Sequence, residues 1–173
     1  DGTRELHFAQ RADVDTWNPE LVVIPGANAP AGGDIVGLGF GYVNGTPTTV
    51  YLGGDDDDLP TIDFPSDLML AERSGGTWTE RTLVDGSAEA GGDCNQYCNE
   101  GSVVGTHPTL APDGTGFVAV YRDTHFGFGI DDFSLSDVEA YAEGGAFTNS
   151  MVDPERSGGT YSSVALLSDG TPV

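Results

Sequence analysis

Residues 36–54 read VGLGFGYVNGTPTTVYLGG. Two alternating runs flank Asn44-Gly45. Alternation with a period of two sends successive side chains to opposite faces of a strand. Asn-Gly readily takes the two left-handed conformations that a tight hairpin turn needs. The stretch therefore predicts an antiparallel hairpin. It recurs as VGTHPTLAPDGTGFVAVYRDT at 104–124, with its turn at Asp113-Gly114-Thr115-Gly116. It begins once more as YSSVALLSDGTPV at 161–173, turning at Asp169-Gly170-Thr171-Pro172.

A second element alternates with the first. LHFAQR at 6–11, LMLAER at 68–73 and VEAYAE at 138–143 share an apolar alternation that ends in a polar residue. A turn and another strand-like run follow each, and Trp17, Trp78 and Phe147 fall at comparable places in those runs. One unit is thus a hairpin turning at Asn-Gly or Asp-Gly, a long loop, and a hairpin turning near Gly-Gly. That makes four antiparallel strands with a period of roughly 60–70 residues. Gly density and β-branched alternation leave no helix of useful length. The expected fold is all-β, built of four-stranded meander repeats of the β-propeller type. A β-sandwich made of the same meanders is the alternative. The units divide the chain into a half unit at 1–34, full units at 35–102 and 103–159, and a half unit at 160–173. They sum to about three sheets, fewer than the four to eight blades of a closed ring. A fragment is therefore expected, or a chain completed by another copy or by a partner.

The pattern resembles the secreted repeat propellers of bacteria, including the sialidase-like group. The resemblance rests on the strand pattern, on Ala111-Pro112-Asp113-Gly114 and on Ser74-Gly75-Gly76-Thr77-Trp78, and it covers most of the chain. It implies a propeller fold and an extracellular or periplasmic location. The Asp-box of that group, S-x-D-x-G-x-x-W, does not occur in full, and the six Arg lie in different strand contexts. Sialidase chemistry is accordingly not carried over.

Composition narrows the partners. The chain has 173 residues, with 28 acidic side chains against six basic ones, all Arg, for a net charge of −22. Such a surface repels nucleic acid and anionic membranes. No run approaches the length of a membrane-spanning helix. Arg without Lys fits a GC-rich genome and selection for solubility; it also fits a setting rich in salt or calcium, where cations screen or bind carboxylates. Gly and Pro, 26 and 10 in number, punctuate hairpins. The sequence opens at Asp1, which is read as a mature product whose targeting signal has been removed.

Candidate functional residues gather in the long connections at 53–66, 86–103 and 122–136, all on one edge of the meanders. Cys94 and Cys98, with three residues between them, fit a loop-stapling disulfide and hence an oxidising compartment. Asp55, Asp56, Asp57 and Asp58 form an acidic run that is solvated or holds Ca2+. Asp63-Phe64…Asp67 recurs as Asp132-Phe133…Asp137. The aspartates either accept backbone N–H bonds or bind calcium, and the Phe residues are structural plugs, as are Trp17 and Trp78. Arg122 and His125 are unique to one unit, since the matching stretch is Tyr51-Leu52-Gly53-Gly54. A guanidinium holds a carboxylate and an imidazole transfers protons or ligates metal; a structural pair with Asp123 or Asp131 is the plainer alternative. His7 and His107 lie in strand contexts. The leading expectation is a secreted module that binds a glycan or a surface protein through its acidic, loop-rich face, with Ca2+ as the one implied cofactor. The runner-up is a glycoside hydrolase in which Asp131, Asp132 or Asp137 acts as acid or base and Arg122 positions substrate. A structural segment of a larger assembly is the third.

Overall fold

The computed structural model describes residues 6–23, 37–54, 66–86, 103–124, 137–143, 149–153 and 162–173. These are all-β, with ten strands and no helix among the described residues. Strands β1 (Leu6–Asp13) and β2 (Thr16–Val23) form a separate hairpin. Strands β3 (Leu38–Val43), β4 (Thr46–Gly54), β5 (Ser66–Ser74) and β6 (Thr77–Val84) pair in order as an antiparallel meander. A second meander comprises β7 (Val103–Pro112), β8 (Phe117–Thr124), β9 (Asp137–Glu143) and β10 (Asn149–Asp153). One parallel pairing, Ser66↔Val103, joins the two into a continuous hydrogen-bonded path. Residues 162–173 close as a short hairpin, with Leu166 bridged to Pro172.

Turn chemistry sets the hairpins. Asn44 and Gly45 both have positive φ, 50° and 80°, the signature of the turn whose twist matches its flanking strands. At the second hairpin the Asp113 carboxylate accepts from the N–H groups of Thr115 (2.8 Å) and Gly116 (2.5 Å). Asp169 accepts likewise from Thr171 N–H (3.0 Å). Asn44 Nδ2 donates to the Thr115 carbonyl (3.3 Å), so the turns of the two meanders lie side by side.

The layers stack by burying opposite faces of each strand. Leu6, Phe8 and Val22 of the first hairpin pack on Tyr51, Met69, Ala71 and Trp78 of the first meander. The other face of that meander, with Val50, Leu68 and Leu70, meets Val104, Leu110, Phe117, Ala119 and Tyr121 of the second. The far face of the second, with Val118, Val120, Ala140 and Ala142, takes Val164 and Leu166 of the closing hairpin. Four layers thus lie in chain order. Glu20 secures the first junction: it pairs with Arg73 and accepts from Trp78 Nε1 at 3.0 Å. Arg73 at its side holds the Glu20 carboxyl below the ordinary range.

Trp17 departs from expectation. It pairs across from Arg11 as Trp78 pairs across from Arg73. Trp78 is half-buried against Phe8, but Trp17 is 59% exposed. Its face of the hairpin turns away from the first meander, so it is not part of the structural core among the described residues. Phe64, Phe133 and Phe147 lie outside the described residues.

Candidate functional site

Register places the strand ends that flank the long connections on one edge. The start of β3 lies beside the end of β4, which lies beside the start of β5. The end of β6 returns to the same edge, with Val84 opposite Leu68. The second meander follows suit, and Ser66↔Val103 puts the two loop edges next to each other. The tight turns occupy the opposite edge.

At this loop edge β7 breaks its ladder. Val104 pairs with Asp123, Thr106 with Arg122 and Thr109 with Val120, with register shifts between them. Gly105 and His107 take positive φ, 93° and 50°. Gly105 is required twice over: it supplies the left-handed backbone, and a Cβ there would lie 2.9 Å from Leu68 Cα. A left-handed histidine ahead of a proline is an uncommon conformation, and strands keep such departures where a bulge re-aims side chains. Pro108 fits here because a bulge leaves its missing N–H without consequence.

The bulge collects buried polar groups. Thr106, His107, Arg122 and Asp123 are all buried, the last two at 1% and 0% exposure. Thr106 Oγ1 donates to the Arg122 carbonyl (3.5 Å). Burial pushes the Arg122 guanidinium below its ordinary value. Burial, and then the nearby Arg122 charge, lower the His107 imidazole, which therefore stays neutral near pH 7. Elsewhere among the described residues, Arg11 donates to the Asp13 and Val14 carbonyls, Arg73 pairs with Glu20, and Arg81 pairs with Glu143. Arg122 is the cation of the loop edge among the described residues. Its equivalents in the first meander are apolar, because Tyr51 and Tyr121 are both buried and are followed by Leu52-Gly53 and Arg122-Asp123.

Of the other predicted residues, Asp137 is placed by its backbone directly opposite Asp123, with Val138 opposite Arg122. Asp67 accepts from Gly86 N–H (3.1 Å) and Thr82 Oγ1 (3.3 Å), the loop-fixing role expected of a structural aspartate. Among the described residues no three His, Cys, Asp or Glu side chains come together as metal ligands. His125, Asp131, Asp132, Asp55, Asp56, Asp57, Asp58, Asp63, Cys94 and Cys98 lie outside the described residues. Sequence reasoning passed over Thr106, took Asp123 only as a structural partner for Arg122, and left His107 in a strand context. The signal was the run VVGTHPTL, where Gly and Pro interrupt an apolar strand three residues apart. No helix among the described residues is long and apolar enough to cross a membrane. No family model matches the chain, and no curated protein matches it.

Proposed function

We propose that the chain is part of an extracytoplasmic β-propeller-type binding module that takes a glycan or surface-protein ligand at its loop edge, with Ca2+ held by the acidic connections. One feature favours a propeller over a sandwich. Equivalent residues face the same way in both meanders: Tyr51 and Tyr121 look back along the stack, while Val50 and Val120 look forward. Two sheets of a sandwich would turn equivalent faces toward each other; blades around an axis repeat one orientation. The binding role rests on the β7 bulge. The strained backbone and the buried Arg122 and Asp123 occur in one meander, at the edge where all the long connections meet, and are replaced by Leu52 and Gly53 in the other. Strain of this kind concentrates at ligand sites.

The test is a glycan-array screen of the folded chain with and without Ca2+. Binding that falls at least tenfold in Thr106→Val and Asp137→Asn, and persists in the turn-edge variant Val14→Ser, supports the reading. Binding that Val14→Ser abolishes and the other two spare overturns it. A rise in Tm with Ca2+, absent with Mg2+ at equal ionic strength and reversed by chelator, supports the calcium assignment; an equal response to both removes it. A glycoside hydrolase is the second reading, favoured by Asp137 standing opposite Asp123 beside Arg122. Turnover of aryl glycosides that is lost in Asp137→Asn would select it.

A further inference from the structure

The hairpin turns carry two kinds of dipeptide. Asp113-Gly114 and Asp169-Gly170 place a carboxylate ahead of glycine, whereas Asn44-Gly45 places an amide there. The side-chain carbon of either residue lies within reach of the next backbone nitrogen, and joining the two closes a five-membered ring. An amide carbon can expel ammonia on such attack. An ionised carboxylate resists it, because it would have to expel oxide.

Among the described asparagines, Asn44 is the one whose surroundings permit the attack. Asn18 precedes Pro19, whose ring nitrogen has no hydrogen to lose. Asn149 is followed by Ser150, which the β9–β10 ladder holds opposite Ala140. Asn28, Asn95 and Asn99 lie outside the described residues. Asn44 is exposed, so water reaches its amide. The ladder of its hairpin ends at Val43↔Thr46, which leaves Asn44 and Gly45 beyond the paired strands. A Cβ on Gly45 would meet no atom within 4 Å, so the backbone has room to turn toward the side chain.

The Asp-Gly pairs are guarded by hydrogen bonds. Asp113 Oδ1 accepts from the N–H groups of Thr115 and Gly116 and from Thr115 Oγ1 (3.0 Å). Such bonds favour the ionised form. Asp169 accepts from Thr171 N–H in the same way. At Asp85-Gly86 the nitrogen that would attack donates instead to Asp67 (3.1 Å).

We propose that Asn44 is a site of spontaneous deamidation, and that the reaction unlatches the turns of the two meanders. The Gly45 nitrogen gives its proton to hydroxide and bonds to Asn44 Cγ. The Cγ–Nδ2 bond then breaks, and that nitrogen leaves as ammonia with a proton taken from water. Water next opens the cyclic imide. Cleavage of the ring bond at Cγ leaves aspartate; cleavage at the main-chain carbonyl leaves isoaspartate, with the main chain running through Cβ. The sum is amide plus water to carboxylate plus ammonium, with no change of oxidation state.

Either product ends the contact between turns. Asn44 Nδ2 is the donor to the Thr115 carbonyl (3.3 Å). A carboxylate only accepts, so two acceptors would face each other there. The reaction also adds a negative charge to a chain already at −22. Isoaspartate further lengthens a turn whose two left-handed residues match the strand twist.

Peptide mapping by mass spectrometry of the folded full chain, aged at pH 8.5 and at pH 6, tests this. Asn44 should convert at least tenfold faster than Asn149, and faster at the higher pH. Aspartyl and isoaspartyl products should appear together, while Asp85, Asp113 and Asp169 gain no isoaspartate. The aged chain and Asn44→Asp should both show quicker amide exchange in the 113–116 turn. Asn44→Gly, which keeps the left-handed turn and has no amide to lose, should show no change there on ageing. Conversion of Asn44 no faster than that of Asn149, or to aspartate alone, overturns the modification site. Isoaspartate at Asp113 on the same timescale overturns the guarding role of the turn hydrogen bonds. Conversion that leaves exchange in the 113–116 turn as it was overturns the unlatching.

Discussion

The two full meanders share strand order, turn placement and facing, and differ in two places. At the back of the first strand, Phe40 is 43% exposed where Leu110 is 8% exposed. At the loop edge, Leu52-Gly53 stands where the second meander buries Arg122-Asp123 under a bulge. The first difference is one of neighbours: among the described residues, the same position is core or surface according to whether a preceding hairpin covers it. The second is one of chemistry, because the repeat has departed from its own pattern at a single edge. Apolar packing and buried polar chemistry thus separate along this chain.

The largest expected effect breaks the junction that the comparison takes as its reference. A Cβ on Gly39 would lie 2.7 Å from Leu110 N and from Thr109 C, both backbone atoms that cannot step aside. Gly39→Ala should cost about 3 kcal/mol or more in urea unfolding, the upper range for overpacking. Gly41→Ala meets only side-chain atoms, Leu110 Cδ2 at 2.7 Å and Pro112 Cγ at 3.1 Å, and should cost clearly less. Equal losses would mean that the meanders do not pack as closely as described.

Next comes the pair of equivalents. Leu110→Ala empties a buried site and should cost about 2–5 kcal/mol. Phe40→Ala should cost about 1 kcal/mol. Equal costs at the two positions would show that the first meander does not cover Leu110 as described.

The hairpins were legible in the sequence because turn chemistry is local. Asn44-Gly45 and Asp113-Gly114 carry their conformations in their own side chains and in the absence of a Cβ. Alternation gave the strand faces for the same reason. The stacking was less legible: Tyr51 and Tyr121 both look back along the stack because of tertiary neighbours, and no local pattern records direction. Trp17 shows the limit plainly, since its sequence context matches that of Trp78 and its exposure does not. The loop-edge site was half visible. Arg122 stood out by breaking the repeat, whereas the bulge that buries it depends on Gly105 fitting against Leu68, a contact 37 residues distant in sequence.

A smaller effect probes the bulge by pH. His107 has its imidazole lowered by burial and by Arg122. Between the ordinary histidine value near 6.5 and its lowered folded value, the unfolded chain binds the extra proton. Stability therefore rises with pH through that window and falls as pH drops below about 6.5. In His107→Gln this slope should flatten. The check is urea midpoints from pH 7.5 to 5; an identical slope in the variant would show that His107 is not the group that titrates.

The smallest effect compares the turns. Burial opposes ionisation at Asp113, but the N–H bonds from Gly116 and Thr115 outweigh it and hold the carboxyl below its ordinary value. At Asp169 the Thr171 N–H bond leads, in the same direction. Groups lowered in this way stabilise the fold above the unfolded carboxylate value near 3.9 and lose that contribution as pH falls through the folded one. Asp113→Asn and Asp169→Asn should each lower stability slightly at pH 7, and the loss should fade as pH falls and the wild-type carboxyls take up protons. The two turns differ in what they carry: Asp113 shapes a turn whose Thr115 carbonyl accepts from Asn44 of the first meander, while the Asp169 turn touches no other layer among the hydrogen bonds described. Asp113→Asn should therefore also quicken amide exchange in the Asn44-Gly45 turn, and Asp169→Asn should leave that turn as it was. Matching exchange in the two variants would uncouple the turns and leave the side-by-side packing of the meanders to the apolar junction alone.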